Sequence, residues 1–288
     1  MDTTARILEK RNLTDITTLF VVSAPLVARN AAPGQFVILR VSETGERIPI
    51  SMTDFDRTAG TITIVVQEVG RTSVLVGAME EGDTFLDFAG PLGLEVPLPD
   101  EGHAVLIGGG FGAGAVFPLA RDMRRRGVKV SSIVGARSGD LLILADLLAT
   151  ESDEVHVCTD DGSLGYRGFV TGKLEELIDE GAGFTHCFAV GPMPMMRAVA
   201  ATAMRRGLPA MVSLDPLMVD GTGMCGGCRV TVGGKSLFAC VDGPFFPADA
   251  VDFDEADARL TTYKEQEDLA RERAAREMAA RELAGLGR

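Results

Sequence analysis

Three of the five cysteines lie close together near the C-terminal end of this 288-residue sequence, at Cys225, Cys228 and Cys240. Plant-type [2Fe–2S] sites use the ligand spacing C-x4-C-x2-C, with a fourth Cys further along the chain. The same spacing is present here with Asp220 in the first ligand position. Glycines surround the first two sulfurs, where they let the backbone approach an inorganic centre closely. This pattern predicts a [2Fe–2S] cluster bound by Asp220, Cys225, Cys228 and Cys240.

Other chemistries use the same residue types, because spacing motifs also occur without a cluster. A structural zinc site usually has four Cys or His ligands, and His103, His156 and His186 all lie far upstream of the cysteines. A disulfide or unliganded thiols would also be consistent with the spacing. The remaining cysteines, Cys158 and Cys187, lie in apolar runs, which predicts buried side chains. No nucleophile–His–acid set is apparent, so the histidines receive no catalytic role.

Two short motifs contain residue types that suit a flavin nucleotide. Arg47-Ile-Pro-Ile-Ser51 offers a forked cation for a pyrophosphate, a proline that fixes the backbone beside a flat ring, and a hydroxyl donor. Gly70-Arg-Thr-Ser73 precedes a helical pattern, so Thr72 or Ser73 would cap a helix N-terminus that attracts anions. Each motif alone is also ordinary loop or capping chemistry. Together they favour a flavin pyrophosphate site.

A glycine-rich run, Gly108-Gly-Gly-Phe-Gly112, follows an apolar strand pattern and opens a helical one, as a dinucleotide-binding loop does. No acidic residue ends the second strand of this region, where Arg137 is either a phosphate contact or a solvated loop charge. Two more glycine-bearing strand ends, 159–163 and 191–193, are either ordinary turns or parts of the same crevice. The pattern predicts a nicotinamide nucleotide lying across a sheet.

These motifs need two kinds of scaffold, so the predicted fold class is β plus α/β. Residues 4–96 contain short stretches rich in Val, Ile, Phe and Thr, separated by Gly, Pro and Asp, which predicts a small antiparallel barrel. From about residue 100, strand and helix patterns alternate, which predicts a doubly wound parallel sheet. We expect an FAD-binding β-barrel over 1–97, an NAD(P)-binding α/β domain over 98–213, a small [2Fe–2S] module over 214–250 and a helical tail over 251–288.

The tail has a helical composition of its own. Residues 255–284 are polar and Ala-rich, which predicts one terminal helix, and Glu–Arg pairs recur at i,i+4 spacing. These pairs are Glu267–Arg271, Glu272–Arg276 and Glu277–Arg281. The helix is either a solvated face or a surface that docks a partner subunit.

The charge balance excludes some partners. The sequence has 28 Lys and Arg against 41 Asp and Glu, a formal net charge of −13. Nucleic-acid and anionic-membrane binding rely on basic patches, so neither partner is expected. The N-terminal residues lack the apolar core of a signal peptide, and no apolar run reaches the roughly 18 residues of a membrane span. With few, clustered cysteines, this predicts a cytoplasmic location.

The order of the motifs resembles that of the ferredoxin–NADP reductase superfamily. The segments 219–229 and 238–244 resemble the electron-transfer subunit of dihydroorotate dehydrogenase, and still more the small subunit of NADH-dependent reduced ferredoxin:NADP oxidoreductase, also called sulfide dehydrogenase. The resemblance covers essentially residues 1–265. Asp220 in place of a Cys and the long C-terminal helix favour the second branch. Val190 stands where the superfamily often has Cys, which weakens any proposal of a thiol beside the nicotinamide.

The resemblance implies cofactors, residues and a partner. It implies FAD held by Arg47, Pro49, Ile50, Ser51, Gly70, Thr72 and Ser73. It implies NAD(H) held by Gly109, Gly110, Gly112, Arg137, Asp161, Gly162, Gly191 and Pro192. It also implies a heterodimer with a larger flavin and iron–sulfur subunit, similar to the small subunit of glutamate synthase, through which ferredoxin would be reached indirectly.

The expected function follows from the order of the cofactors. Nicotinamide exchanges a hydride, a [2Fe–2S] cluster exchanges single electrons, and flavin does both, so the FAD is expected between the other two. The chain would then be an NAD(P)H-dependent oxidoreductase subunit. Three alternatives stay open: the electron-transfer subunit of a dihydroorotate dehydrogenase, a non-catalytic docking subunit, and a zinc-stabilised flavoprotein without electron output.

Overall fold

The computed structural model describes the backbone of residues 4–283 and the side chains of residues 4–273 and 276. In that part of the chain the strands form a six-stranded sheet, a seven-stranded sheet and a two-stranded hairpin. No helix of the described chain combines the length and the apolar character needed to cross a membrane.

The first sheet is antiparallel throughout and carries the N-terminal core. Its strands are β1 (Arg6–Thr14), β2 (Thr17–Ser23), β3 (Phe36–Arg40), β4 (Ile48–Asp56), β5 (Thr61–Gln67) and β6 (Asp87–Leu92), in the order β1-β2-β5-β4-β3-β6. Phe20, Leu39 and Ile64 are fully buried on its inner face. Before β6 the chain returns to β1, where the N–H of Ile7 donates to the carbonyl of Asp83 at 2.9 Å. The predicted antiparallel N-terminal sheet is confirmed, and this return curls it towards a barrel.

Two short helices complete this first layer. They are α1 (Pro25–Asn30) and α2 (Arg71–Gly77). Helix α1 begins at Pro25, whose fixed backbone suits a first helical position. Helix α2 follows β5 directly after Gly70 and buries Val76.

The second sheet is parallel except for one edge strand. Its strands are β7 (His103–Gly109), β8 (Lys129–Ala136), β9 (Glu154–Thr159), β10 (Tyr166–Arg167), β11 (His186–Val190), β12 (Ala210–Ser213) and the antiparallel β15 (Phe245–Pro247), in the order β10-β9-β8-β7-β11-β12-β15. Every residue of β7 is buried, as expected for a strand covered on both faces. The covering helices are α3 (Gly112–Arg125), α4 (Ala145–Glu151), α5 (Val170–Asp179) and α6 (Met193–Arg205).

The strand order creates a crevice between β7 and β11. The chain runs outward from β7 through β8, β9 and β10, then returns to form β11 on the other side of β7. Ligands of open α/β sheets bind at such a switch point, at the carboxyl ends of the strands. The glycine run after β7 and Gly191 after β11 both lie there.

The cysteine segment folds against the second sheet. It contains a hairpin of β13 (Arg229–Val232) and β14 (Lys235–Phe238), a helical turn α7 (Ala239–Asp242) and then β15. Gly233 and Gly234 both have positive φ, at 57° and 72°, as the two central residues of a tight type I′ hairpin turn require. Because β15 pairs with β12, the cysteine segment is attached to the edge of the second sheet.

Helix α3 joins the two sheets. It packs on β4, where a Cβ at Gly114 would lie 2.7 Å from the Thr53 hydroxyl oxygen. Arg121 pairs with Asp54, and its guanidinium lies 4.9 Å from the centre of the Phe55 ring. These contacts fix the glycine run after β7 beside the open side of the first sheet.

The C-terminal region differs in detail from the predicted single helix over 255–284. It forms α8 (Phe253–Leu260) and α9 (Lys264–Leu283). Asp252 caps α8, accepting from the Glu255 N–H at 3.0 Å. The break contains Thr262 and Tyr263, β-branched and aromatic residues that favour helix less than Ala or Glu. Residue 284 and the Glu277–Arg281 pair lie outside the described residues or side chains.

Candidate functional site

A deep cleft lies beside the open side of the first sheet. Its volume is about 780 Å³, towards the upper end of the roughly 300–1,000 Å³ typical of cofactor sites. All seven residues predicted to hold a flavin line it, namely Arg47, Pro49, Ile50, Ser51, Gly70, Thr72 and Ser73. Two motifs that lie apart in the sequence therefore meet in one cavity.

The apolar wall of the cleft comes from the first half of β4. Residues 48–51 pair with β3, with Pro49 opposite Ile38, whereas pairing of β4 with β5 begins only at Met52. That edge of β4 is therefore unpaired where it lines the cleft, which also explains how a proline is accommodated within the strand. Phe36 and Val65 extend the same wall. A flat ring placed here would meet apolar side chains and free backbone groups.

The start of α2 supplies polar groups to the cleft. The Ser73 hydroxyl accepts from the Gly70 N–H at 2.9 Å and donates to the Gly70 carbonyl at 3.0 Å, so it caps its own helix. The Thr72 hydroxyl donates to the Glu46 carboxylate at 3.2 Å. The sequence predicted Thr72 or Ser73 as the cap of this helix; Ser73 is the cap, and Thr72 faces another side chain of the cleft.

Arg47 forms an ion pair at the mouth of the cleft. Its guanidinium donates to Asp87 at 3.1 and 3.3 Å and its side chain is 44 % exposed. Arg40 binds the same carboxylate, and the two guanidiniums, Arg40 foremost, hold the pKa of Asp87 below its usual value. Because Arg40 also pairs with Asp87, that carboxylate would keep a cationic partner if Arg47 turned towards an anion in the cleft.

Sequence reasoning missed several residues of the cleft. Phe111, from the glycine run, and Asp215 and Met218, which follow β12, all line it. Burial among protein atoms raises the pKa of Asp215 to about 6, although its side chain stays open to the cleft. An acidic residue two positions after the end of a strand was a signal that could have found it. Residues of α9 also line the cleft, and nothing in their sequence pattern indicated that.

The glycines after β7 serve two different purposes. A Cβ at Gly112 would collide with the Val190 carbonyl, and one at Gly108 would lie 2.7 Å from the Ala113 Cα. Those two glycines let the loop approach β11 and helix α3 closely. Gly110 is different, because its φ is +54° and a Cβ there would meet open space. Gly109 lies against Gly191, within 3.1 Å of a Cβ built there.

The remaining nicotinamide candidates lie on the same edge of the second sheet but outside the cleft. Arg137 follows β8 and is exposed, and Pro192 is the N-cap residue of α6. Asp161 follows β9 and accepts from the Ser163 hydroxyl at 2.6 Å and from the Ser163 N–H at 2.9 Å. These two bonds, the hydroxyl foremost, hold the pKa of Asp161 below its usual value. Gly162 completes that turn with a φ of +76°. The eight predicted residues therefore share the carboxyl ends of β7, β8, β9 and β11.

The predicted cluster ligands form two pairs. The sulfurs of Cys228 and Cys240 lie 3.1 Å apart and both residues are buried. The Asp220 carboxylate accepts from the Cys225 N–H at 2.6 Å and from the Thr222 N–H at 2.8 Å. A two-iron cluster takes two protein ligands on each iron, so two pairs are the arrangement it needs. Among the described residues, no three His, Cys, Asp or Glu side chains converge as ligands of a single ion would.

The protonation states of the ligand residues differ. Burial, followed by the contact with Cys228, raises the pKa of the Cys240 thiol to about 12. The Thr222 N–H, followed by the Cys225 N–H, lowers the pKa of Asp220. Metal ligands must be deprotonated, so metal binding would release a proton from the Cys240 thiol and none from the Asp220 carboxylate. The donor set fits an iron–sulfur cluster.

The cysteine segment adjoins the cleft. Met218 and Val219 line the cleft and Asp220 follows directly. A Cβ at Gly221 would lie 2.8 Å from the Ile38 side chain, and Ile38 is the strand partner of Pro49. Ile38 therefore lies between the cluster loop and Pro49 in the apolar wall of the cleft.

Comparison with known families identifies the cysteine segment. Residues 215–252 match the iron–sulfur cluster binding domain of dihydroorotate dehydrogenase B. This is the segment in which the sequence pattern predicted a cluster.

Curated relatives match nearly the whole chain. A dihydroorotate dehydrogenase B (NAD(+)) electron transfer subunit homolog of Thermotoga maritima is 44 % identical over 254 residues, 88 % of this chain and 89 % of the relative. The electron transfer subunit of dihydroorotate dehydrogenase B from Geobacillus thermodenitrificans is 34 % identical over 255 residues, 85 % of this chain and 96 % of the relative.

Solved structures share the fold. The structure of NADH-dependent reduced ferredoxin-NADP oxidoreductase, described for flavin-based electron bifurcation, is 41 % identical with a TM-score of 0.89, covering 95 % of this chain and 98 % of that one. A ferredoxin NADP+ reductase from Neisseria gonorrhoeae with bound FAD and NADP is 21 % identical with a TM-score of 0.61, covering 71 % and 91 %. The second likeness concerns the fold alone. The family and fold class expected from the motifs are confirmed.

Proposed function

The chain belongs to the family of dihydroorotate dehydrogenase B electron-transfer subunits and their homologues, and from that premise we propose that it exchanges hydride with NAD(H) and single electrons with a larger subunit. The observation that carries the proposal is the adjacency of the cleft and the cluster loop, because Met218 and Val219 line the first and lead directly into Asp220. Such adjacency suits a chain that passes electrons between two centres.

FAD is the proposed occupant of the cleft. The unpaired edge of β4 at Pro49 and Ile50 would lie along the ring system, with Ser51 as a hydroxyl donor. Arg47 would face the pyrophosphate and Thr72 would donate to it, displacing its present bond to Glu46. Gly70 and Ser73 hold the start of α2 in place for these contacts. The apolar wall excludes water from the ring, and the charged mouth recognises the phosphates.

NAD(H) is the proposed second ligand, at the carboxyl ends of the parallel strands. Gly109, Gly110 and Gly112 would let a nucleotide approach the start of α3, with Gly110 facing open space. Arg137, Asp161 and Gly162, with Gly191 and Pro192, would line the rest of the crevice. Phe111 links this loop to the flavin cleft, because it belongs to the glycine run and lines the cleft. A nicotinamide entering over the crevice would therefore arrive beside the flavin site.

A [2Fe–2S] cluster is the proposed third centre, held by Asp220, Cys225, Cys228 and Cys240. When bound, a nicotinamide supplies hydride chemistry, a flavin couples it to one-electron chemistry and a cluster carries single electrons. The protein supplies position and polarity. Cys225 is exposed and Met224 is 88 % exposed, whereas Cys228 and Cys240 are buried. This exposed side of the cluster loop is where electrons would leave the chain.

The proposed partner is a larger flavin and iron–sulfur subunit, similar to the small subunit of glutamate synthase, in a cytoplasmic heterodimer that reaches ferredoxin indirectly. Two observations support this partner over a dihydroorotate dehydrogenase catalytic subunit. Asp220 stands at the first ligand position, and the long helix α9 follows the cluster segment. The match of residues 215–252 to the dihydroorotate dehydrogenase B domain favours the alternative. Co-purification of the native complex separates the two partners.

Cofactor content tests the proposed function. Protein purified without oxygen should contain FAD and iron with acid-labile sulfide, and should show flavin bands over a broad brown absorbance. Flavin bands with zinc in place of iron would contradict the cluster assignment. A chain that binds neither FAD nor iron after reconstitution would contradict the proposal as a whole.

A further inference from the structure

Helix α9 lines the cleft, although its sequence has no apolar stripe that would hold it there. Residues 263, 266, 267, 270 and 271 face the cavity, together with Asp268. The spacing of the first five is i, i+3, i+4, i+7 and i+8, which places them on one face of the helix. The described part of α9 therefore presents a continuous face to the flavin site.

The place of α9 along the cleft indicates which part of a ligand it meets. Its main contact is with α2, the helix that follows Gly70 beside the polar end of the cleft. The apolar end, at Pro49 and Phe36, belongs to the first sheet. A dinucleotide with its ring system at the apolar end and its pyrophosphate near Arg47 would extend its second nucleoside towards α9.

Most of the described side chains of α9 are exposed. Of residues 261–273, Ala270 alone is half-buried and the others are exposed. Tyr263, which directly precedes the helix, lines the cleft and is 51 % exposed, and the Glu267 N–H donates to its carbonyl at 2.9 Å. Ion pairs along α9, such as Arg271 with Asp268, stabilise a helix without an apolar stripe and leave its cleft face open to a ligand. An aromatic ring that lines a cavity while half exposed offers a stacking surface for a base.

From these observations we propose that α9 is part of the FAD site and that Tyr263 stacks on the adenine of the bound FAD. The inference rests on the proposed function, since it takes FAD as the occupant of the cleft. In this proposal α9 makes the site selective for FAD over FMN, because FMN lacks the adenosine half that α9 would contact. Gln266 lies on the same face and would offer an amide to the base edge.

Binding of FAD and FMN to the full-length, cluster-containing chain tests the proposal. After reversible removal of flavin, each is titrated and its fluorescence quenching gives a Kd. The Tyr263→Ala variant should bind FAD about tenfold more weakly, equivalent to about 1.4 kcal/mol, with an unchanged Kd for FMN. Tyr263→Phe keeps the ring and should bind FAD as the parent protein does.

Leu269→Ala provides the matched control. Leu269 is on the same helix, 54 % exposed and not part of the cleft wall, so its loss should leave both Kd values unchanged. An unchanged FAD Kd in Tyr263→Ala, or equal weakening of FAD and FMN, would overturn the adenine assignment while leaving the proposed function intact. Failure of the parent protein to bind FAD at all would overturn both.

Discussion

Asp220 accepts hydrogen bonds from two backbone N–H groups and also stands where a cluster ligand is predicted. One carboxylate can both hold a loop through hydrogen bonds and bind a metal, because its two oxygens offer about four acceptor sites. Replacement of the residue tests the ligand role, since a change of ligand alters the potential of the cluster.

Replacing Asp220 with Cys should leave a cluster bound and shift its midpoint potential, because ligand identity is one of the levers that set it. Asp220→Asn is the matched variant, as it keeps the size and one acceptor oxygen but removes the charge. A spectroelectrochemical titration measures both potentials. Potentials equal to that of the parent protein in both variants would remove Asp220 from the ligand set.

Asp215 makes the free energy of unfolding depend on pH. Its pKa in the folded protein is raised to about 6, by burial, from 3.8. A carboxyl with a raised pKa favours the protonated folded state, so its contribution to stability is complete below about pH 4 and is lost as the pH rises through 6.

In flavin-free protein, Asp215→Asn should therefore unfold at the same temperature as the parent near pH 4 and at a higher temperature above pH 6. Water in the cleft keeps the difference well below the ~3 kcal/mol that about two pKa units would give in a fully buried site. Thermal unfolding between pH 4 and 8 measures it. A difference that does not change with pH would show that Asp215 is not the titrating group.

At the scale of elements, the glycine run shows what sequence reasoning can and cannot separate. The run after a strand and before a helix correctly marked the turn from β7 into α3. The sequence did not distinguish Gly112, which is needed for contact with β11, from Gly110, which faces open space. That distinction depends on β11, whose residues lie almost 80 positions further along the chain.

Gly112→Ala and Gly110→Ala should separate folding from ligand binding. A methyl group at Gly112 meets the Val190 carbonyl and should cost about 1–3 kcal/mol of stability, the usual cost of overpacking. At Gly110 the φ of +54° costs an Ala about 1–2 kcal/mol, but no atom is displaced. Thermal unfolding and NADH titration are the measurements.

We expect NADH binding to weaken in Gly110→Ala beyond what its stability loss explains, because the new methyl group points into the proposed nucleotide crevice. An NADH Kd equal to that of the parent protein in this folded variant would contradict the placement of the nicotinamide nucleotide at Gly110.

The C-terminal region shows a second limit at this scale. The polar, Ala-rich composition predicted a helix, and α8 and α9 are helical, but the pattern could not place α9 on the flavin cleft. A helix without an apolar stripe carries no sequence signal for the surface it covers. The predicted ion pair of Glu272 with Arg276 is present at 3.6 Å, whereas Arg271 pairs with Asp268 in place of Glu267.

At the scale of the whole molecule, periodicity and motif order were sufficient for the fold class. Alternation of strand and helix patterns from residue 100 gave the parallel sheet, and short Val- and Ile-rich runs gave the antiparallel one. Residues such as Met218 and Asp215 join the site only because β12 ends beside the first sheet, a long-range contact that no local pattern encodes. The four-part division of the chain stays a proposal. Because β15 pairs with β12, the cluster segment is attached to the second sheet.

The net charge of −13 and the exposed cluster loop indicate what kind of partner surface this chain could contact. Met224 and Val219 are exposed beside Cys225, in a chain whose charge would repel acidic partners at long range. An apolar contact at the cluster loop with a less acidic partner surface suits the proposed heterodimer.

An anaerobic titration of the purified chain with NADH, followed by visible absorbance, tests the central claim most directly. We predict that NADH bleaches the flavin bands, and that electrons then reach the cluster as its brown absorbance declines. A chain that contains both FAD and a [2Fe–2S] cluster, yet is reduced by neither NADH nor NADPH alone or in its native complex, would contradict the account and leave a docking subunit.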